Sequence, residues 1–247
     1  MRLITLNIWG GMTYDPLINF LKERAKNVDI FCFQEVFNNP PGVPSRVQTK
    51  KIPILNIYSD LKELLPEFND HIHPTQEGEE SLAMFIKNTL PIDMVGEIFV
   101  YRWKNAMEGN DASTYGINIE YFQTHQGDKK YTVCNLHGHW TPQYKGDNPA
   151  RIEQSKNIKK FLDEIDGKKI LCGDFNVAPE TKSMDILEGS MKNLIKENGV
   201  TSTRSHYYPG EIKFADYILV SPDIQVKEFK VLQDVVSDHL PLYLEFD

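Results

Sequence analysis

The sequence predicts an α/β protein built on a mixed sheet system, and three observations carry that expectation. Apolar runs of strand length alternate with stretches of helical period along the 247 residues. Four of the apolar runs end in polar residues able to do chemistry: LITL runs to Asn7, DIFCFQ to Glu35, YTVCNL to His137, and KILCG to Asp174 and Asn176. Two later runs are instead opened or preceded by such residues, Asp216 at the head of DYILVS and Asp238-His239 just before LPLYLEF. In open α/β sheets the ligand crevice lies beyond the carboxyl ends of the strands. One site can gather all of these residues only if the last two strands run antiparallel to the first four. The sheet system must then be mixed.

The elements follow in order. RLITLNI is a short apolar strand that stops at Trp9-Gly10-Gly11. DPLINFLKERAKN places Leu17, Phe20, Leu21 and Ala25 at helical spacing, with Asp15 and Pro16 as N-cap and first position. DIFCFQEV reads as a strand buried on both faces, FNNPPGVPSRVQTKK as a long irregular loop, and Pro53 as the opener of a helix over ILNIYSDLKELL. SLAMFIK, DMVGEIFVYRW, YGINIEYFQT and KKYTVCNLHG are strands, the last two joined by a turn around Gly127-Asp128. PARIEQSKNIKKFLDEI is an amphipathic helix with Ile152, Ile158, Phe161, Leu162 and Ile165 on one side. Short helices are expected over 182–197, followed by strands at FADYILVS, QVKEFKVL and PLYLEF. With no internal repeat and no low-complexity linker, one domain over residues 1–247 is expected.

Composition narrows the function classes. A hydrophobic fraction of 40% and a charged fraction of 25% are those of a globular protein. A net charge of −8, with lysines in scattered pairs, argues against a protein that coats nucleic acid by charge alone. Such a chain can still take a phosphate substrate when a metal ion supplies local positive charge. Cys32, Cys134 and Cys172 lie in apolar runs without zinc spacing, which predicts three buried free thiols in a reducing compartment. There is no signal-like start and no apolar run near the ~20 residues of a membrane span. A cytoplasmic monomer without membrane contact is the expectation.

The stretch LCGDFNVAPE is the most informative. In an extended segment residues two apart share a face, so Asp174 and Asn176 would point one way and Phe175 the other. A strand end with an Asx-type turn accounts for the same residues by local chemistry alone. Each other position has its bland counterpart as well: Glu35 a capped strand end, Asn7 a turn former, His137 a satisfied core histidine. Coincidence at six strand termini is harder to accept.

LNIWGG, DIFCFQEV, CNLHGHW, GDFN, ADYILVSP and SDHLPL, in this order and spacing, resemble the motif series of the endonuclease/exonuclease/phosphatase superfamily. The resemblance spans Asn7 to His239. It implies a four-layer α/β/β/α sandwich of two mixed sheets, like that of deoxyribonuclease I, with the site at one edge. It also implies hydrolysis of phosphoesters with magnesium, for which manganese can substitute. By the resemblance Glu35 is the principal metal ligand, with Asn7 beside it and Asp238 contacting the metal directly or through water. Asp174 is similar to the family's general base, Asn176 to the residue that holds phosphate or nucleophile, and His239 to the histidine on the phosphate oxygens. Asp216 matches the carboxylate that orients that histidine, and His137 a phosphate-binding or leaving-group histidine. The family's apurinic-site branch tends to carry Tyr at the position of His137.

Loops set the substrate in such folds. TSTRSHYYPG, residues 201–210, precedes the Asp216 strand and is expected to overhang the site, with Arg204 on a second phosphate and Tyr207 or Tyr208 stacking a base. Trp9 and Trp140 are candidates for pocket walls, and Arg151 reads as a solvated helix residue. The His71-x-His73 pair and the acidic EGEE, residues 77–80, read as ordinary surface. Three functions stay open: a phosphodiesterase acting on nucleic acid, the same chemistry on a small phosphorylated metabolite or lipid head group, and a non-catalytic binding module.

Overall fold

A computed structural model describes residues 1–39, 54–72, 80–102, 116–142 and 144–247. Most of the loop after Phe37, Pro53, His73, nearly all of the EGEE stretch and the polar segment 105–114 lie outside the described residues.

Two six-stranded mixed sheets pack face to face, with helices on both outer surfaces. The first contains β1 (Arg2–Asn7), β2 (Ile30–Phe37), β3 (Phe68–Ile72), β4 (Glu80–Lys87), β11 (Val226–Val231) and β12 (Leu242–Phe246), in the order β11-β12-β1-β2-β4-β3. The second contains β5 (Met94–Arg102), β6 (Gly116–Gln126), β7 (Lys129–His137), β8 (Lys168–Asp174), β9 (Lys192–Asn193) and β10 (Asp216–Val220), in the order β5-β6-β7-β8-β10-β9. Each sheet has one parallel pair, β1 with β2 and β7 with β8, joined through α1 (Tyr14–Arg24) and α3 (Pro149–Glu164) respectively. Every other pairing is antiparallel, including β12 on β1 and β10 on β8. This is the orientation that gathering six strand termini in one place demanded.

The double burial of the central strands follows from their residues. Along β2, Ile30 and Cys32 face the second sheet, while Phe31 and Phe33 face α1 and α2 (Ile57–Leu64). In the second sheet Tyr131, Val133 and Ile218 face the first sheet, Tyr131 packing on Phe246, while Leu171 lies on the opposite face, toward α3 and α4 (Lys182–Glu188). The three cysteines are buried and free, as their apolar settings predicted. Among the described residues no helix is long and apolar enough to cross a membrane.

Three local differences from the sequence reading have physical reasons. Helix α1 starts at Tyr14 after Thr13, so Asp15 and Pro16 lie inside its first turn, where the missing proline N–H would have been unpaired anyway. Strands β3 and β9 are an edge strand and a two-residue strand, too short and too polar to give a period-2 signal. On α3 the buried positions of the first turns are Arg151, Gln154 and Ser155, while Ile152 is only partly covered. That end packs on the polar loop after β7, and only the later turns meet the apolar core.

Candidate active site

The carboxyl ends of β1, β2, β7 and β8 and the start of β10 converge at one edge of the sandwich. Glu35 reaches this edge because β2 is irregular there. The register against β4 shifts between Phe33 and Val36, and Glu35 adopts a left-handed φ of 56°. Such a backbone in a residue other than glycine persists only where its surroundings fix it. Here the amide of Gln34 donates to Asn135 Oδ1 on β7 at 2.6 Å, and Asn135 donates to the Phe33 carbonyl at 3.0 Å. These paired amides hold the residues flanking the bend across the sheet interface.

The GDFN stretch works by a turn and not by the pleat. The strand ends at Asp174, and Asn176 is left-handed, with φ 58°. The Asn176 N–H donates to Asp174 Oδ1 at 2.9 Å, which is an Asx turn. The second carboxylate oxygen is thereby left for the site. Local turn chemistry and site geometry are the same hydrogen bond. Gly173, at φ 130°, permits the bend: a Cβ there would lie 2.1 Å from the Leu136 carbonyl oxygen. Phe175 points away and packs edge-on against Tyr217 in the core.

Around the free Asp174 oxygen the predicted residues assemble. Asn7 Nδ2 donates to Glu35 Oε1 at 2.7 Å and to Asp174 Oδ2 at 3.1 Å. His137 Nε2 stands 3.9 Å from Glu35 Oε1 and 3.8 Å from Asp174 Oδ2. His239 Nε2 lies 3.6 Å from Asp174 Oδ2, and its Nδ1 pairs with Asp216 Oδ1 at 2.7 Å. Asp174 is fully buried, and burial by itself would raise its pKa. The positive charges of His239, Arg204, His137 and Lys145 outweigh burial and hold the carboxyl well below the usual carboxylate range. For His239, burial opposes the charge, but Asp216, Asp238 and Asp174 prevail over Arg204 and raise its pKa.

The donor set suits a hard divalent cation. Ligand atoms of Glu35, His137 and Asp174 lie within 4.8 Å of one another, and two of the three are carboxylates. Asp174, Asp216 and His239 form a second such cluster. Asn7 presents its amide nitrogen to Glu35, while its oxygen accepts the Trp9 N–H at 2.9 Å. As drawn, Asn7 aims the carboxylates; direct ligation through Oδ1 would require the amide to turn and give up that bond. Asp238 stands apart from the Glu35 cluster, with Oδ2 taken by Arg204 Nη1 at 2.8 Å.

The 201–210 stretch divides in two. Thr203, Arg204 and Ser205 are buried in the floor of the site, where Arg204 bridges to His239 in antiparallel fashion. The overhanging part begins only at His206. Arg204 Nη1 also stands against His239 Nε2, two donors facing each other when the imidazole is charged, and the guanidinium lies over the Tyr208 ring at 4.2 Å, so Tyr208 is engaged within the chain. Tyr207 is 45% exposed, with its ring 6.1 Å from that of Trp9. Trp140 is 61% exposed on the loop after β7.

Three residues were missed by the sequence reading. Thr203 donates to Asp216 Oδ2 at 2.9 Å, so both oxygens of that carboxylate are occupied. Arg151 is fully buried, contrary to its reading as solvated. It donates to the carbonyls of His139, Gly146 and Tyr144 and to Thr141 Oγ1, and it shapes the 139–146 loop. Lys145 on that loop is buried with Nζ on Asn176 Oδ1.

The model of the Endonuclease/Exonuclease/phosphatase family matches residues 4–239, which takes in every residue of this cluster. The chain belongs to that family. Family members hydrolyse phosphoester bonds, and the fold is the family's sandwich. Over its full length the chain is similar in structure to the Bacteroides thetaiotaomicron mannosyl-6-phosphatase Bt3783, with TM-score 0.72, 18% identity and 99% of that chain covered. It is also similar to the human Nocturnin catalytic domain solved with a bound sulfate anion, with TM-score 0.70, 16% identity and 94% of that chain covered. A humanised D. rerio TDP2 gives TM-score 0.68 at 12% identity, with 98% of that chain covered. At these identities the likeness is one of fold. No curated protein matches the sequence.

Proposed function

We propose that this family member is a divalent-metal-dependent phosphodiesterase, with magnesium as its metal and manganese as a substitute, acting on nucleic acid strands or ends. The observation that carries the reading is the buried Asp174 carboxylate, met by Asn7 and neighboured by Glu35 from one sheet and by His137 and His239 from elsewhere in the fold. Glu35 is the residue to hold the metal, aimed by Asn7, with Asp238 assigned to it only through water. Bound there, the cation supplies neutralisation of phosphate charge and a more acidic water.

The chain's own residues do the remainder. Asp174, held ionised, orients and deprotonates the attacking water. Asn176 takes a phosphate oxygen. His239, its Nδ1 fixed by Asp216, presents Nε2 to the phosphoryl oxygens, and His137 faces the leaving group. Arg204 is assigned to substrate phosphate, and Trp9 with Tyr207 to the face of a base, with Trp140 as an outer wall.

A second reading places the same chemistry on a small phosphorylated metabolite. The net charge of −8 and the scattered lysine pairs favour it.

Hydrolysis of bis-p-nitrophenyl phosphate, p-nitrophenyl phosphate and labelled single- and double-stranded DNA and RNA separates the readings. Each substrate is tested with magnesium and with EDTA, for wild type and Asp174→Asn. Removing the base is expected to cost about 10²-fold or more in kcat with little change in substrate binding. Nucleic-acid cutting that needs magnesium and vanishes in the variant supports the first reading; activity on the small esters alone supports the second. Near-normal turnover by Asp174→Asn would falsify the site assignment.

A further inference from the structure

We infer that Lys145 is a cation of the reacting centre itself, holding a non-bridging oxygen of the substrate phosphate beside Asn176 independently of any metal. The inference rests on the phosphoesterase reading and adds to it a phosphoryl seat made of protein alone.

Lys145 lies on the loop between β7 and α3, and only 5% of it is exposed. Its backbone is fixed on both sides. The carbonyl accepts the Ala178 N–H at 2.7 Å from the loop after β8, and the surrounding loop is gathered onto Arg151. The ammonium therefore does not wander. An ammonium offers three donors, and among the described residues Nζ has one protein acceptor, Asn176 Oδ1. No carboxylate of the described residues comes within ion-pair distance of it. Burial pushes its pKa down, opposed by the attraction of Asp174 and reinforced by the repulsion of Arg204.

Burying an ammonium with a single neutral acceptor is unfavourable, so a purely structural purpose is poorly served by a lysine. A glutamine or a methionine could fill the same space and a glutamine could still reach Asn176. The lysine's charge helps to hold Asp174 ionised, and donors beyond the one on Asn176 are left for an arriving anion.

Arg204 gives the same indication from another element. It is 93% buried, its Nη1 is held by Asp238, and its Nε, enclosed within the protein, has no hydrogen-bond partner among the described residues. Both cations act on Asp174, and they repel one another. Two cations, one on Asn176 and one set against His239, would complement a tetrahedral oxyanion with several equivalent oxygens.

The test is calorimetric binding of inorganic phosphate in EDTA, with wild type and Lys145→Gln, Lys145→Met and Lys145→Arg, each checked for folding by circular dichroism. Wild type is expected to bind phosphate without metal, the Gln and Met variants to bind at least about ten-fold more weakly, and Arg to retain most of the affinity. In magnesium, Lys145→Gln is expected to raise KM for bis-p-nitrophenyl phosphate as well as to lower kcat. Phosphate binding by Lys145→Gln equal to wild type would mean that the lysine merely props Asn176, and would overturn the inference. So would the absence of metal-free phosphate binding at millimolar concentration in the wild type. Because the binding arm involves no turnover, failure of the phosphodiesterase reading leaves it intact and readable.

Discussion

His239 depends on a neighbour that touches nothing reactive. Asp216 receives His239 through one oxygen and Thr203 through the other, so it is locked in place and fixes the imidazole's direction in turn. Asp216→Asn keeps the shape and removes the charge. Activity is expected to fall by about 10- to 100-fold, the range seen when a carboxylate that orients a working histidine is lost. The sign of the pH effect follows from the raised pKa of His239. Its charged form is present below that pKa, so activity falls as pH rises through it. Loss of Asp216 removes the principal charge that raises the pKa, and the alkaline limb of the kcat/KM profile moves to lower pH. A profile that keeps its alkaline limb in place would show that Asp216 does not set the state of His239.

Arg151 gathers four oxygens of the loop between β7 and α3, and that explains much of what the sequence hid. Asn7, Glu35, His137 and Asp174 could be read because each is the polar end of an apolar run, a signal contained in a few neighbouring letters. Asp216, Asp238 and His239 followed once the strands around them were recognised. Lys145 gave no such signal: its partner is 31 residues away, and its neighbours, Tyr144 and Gly146, look like those of any turn. Gln34 and Asn135, 101 positions apart, read as ordinary strand residues until the two sheets are packed. Arg151 reads as a helix-surface residue because its charge outweighs its position in the pattern. Replacing it with methionine strands four oxygen acceptors and is expected to cost about 3 kcal/mol or more. Urea unfolding, with amide exchange in residues 139–147, measures this. A midpoint within error of wild type, with exchange unchanged, would show that the loop holds itself.

At the scale of the whole molecule, the two sheets supply different members of one cluster, and the chain as a whole is acidic. A protein with 35 acidic and 27 basic residues gains little from releasing counterions along a nucleic acid. If nucleic acid is the substrate, affinity for a non-cleavable strand is expected to fall with salt with a log–log slope of roughly −1 to −2, one or two phosphates being neutralised at the site. Fluorescence anisotropy across a salt series reads it directly. A slope of roughly −6 or steeper would reveal a basic track that the charge pattern does not predict.

The division of the cluster between sheets has a consequence for a chain still being made. Glu35 is synthesised early, Asp174 much later, and His239 later still. No half of the protein carries a complete set of reagents. On the proposed roles, a chain translated only through Asp174 would lack the histidine assigned to the phosphoryl oxygens. On those roles, hydrolytic competence would wait for β12 to close beside β1 and bring His239 to its place.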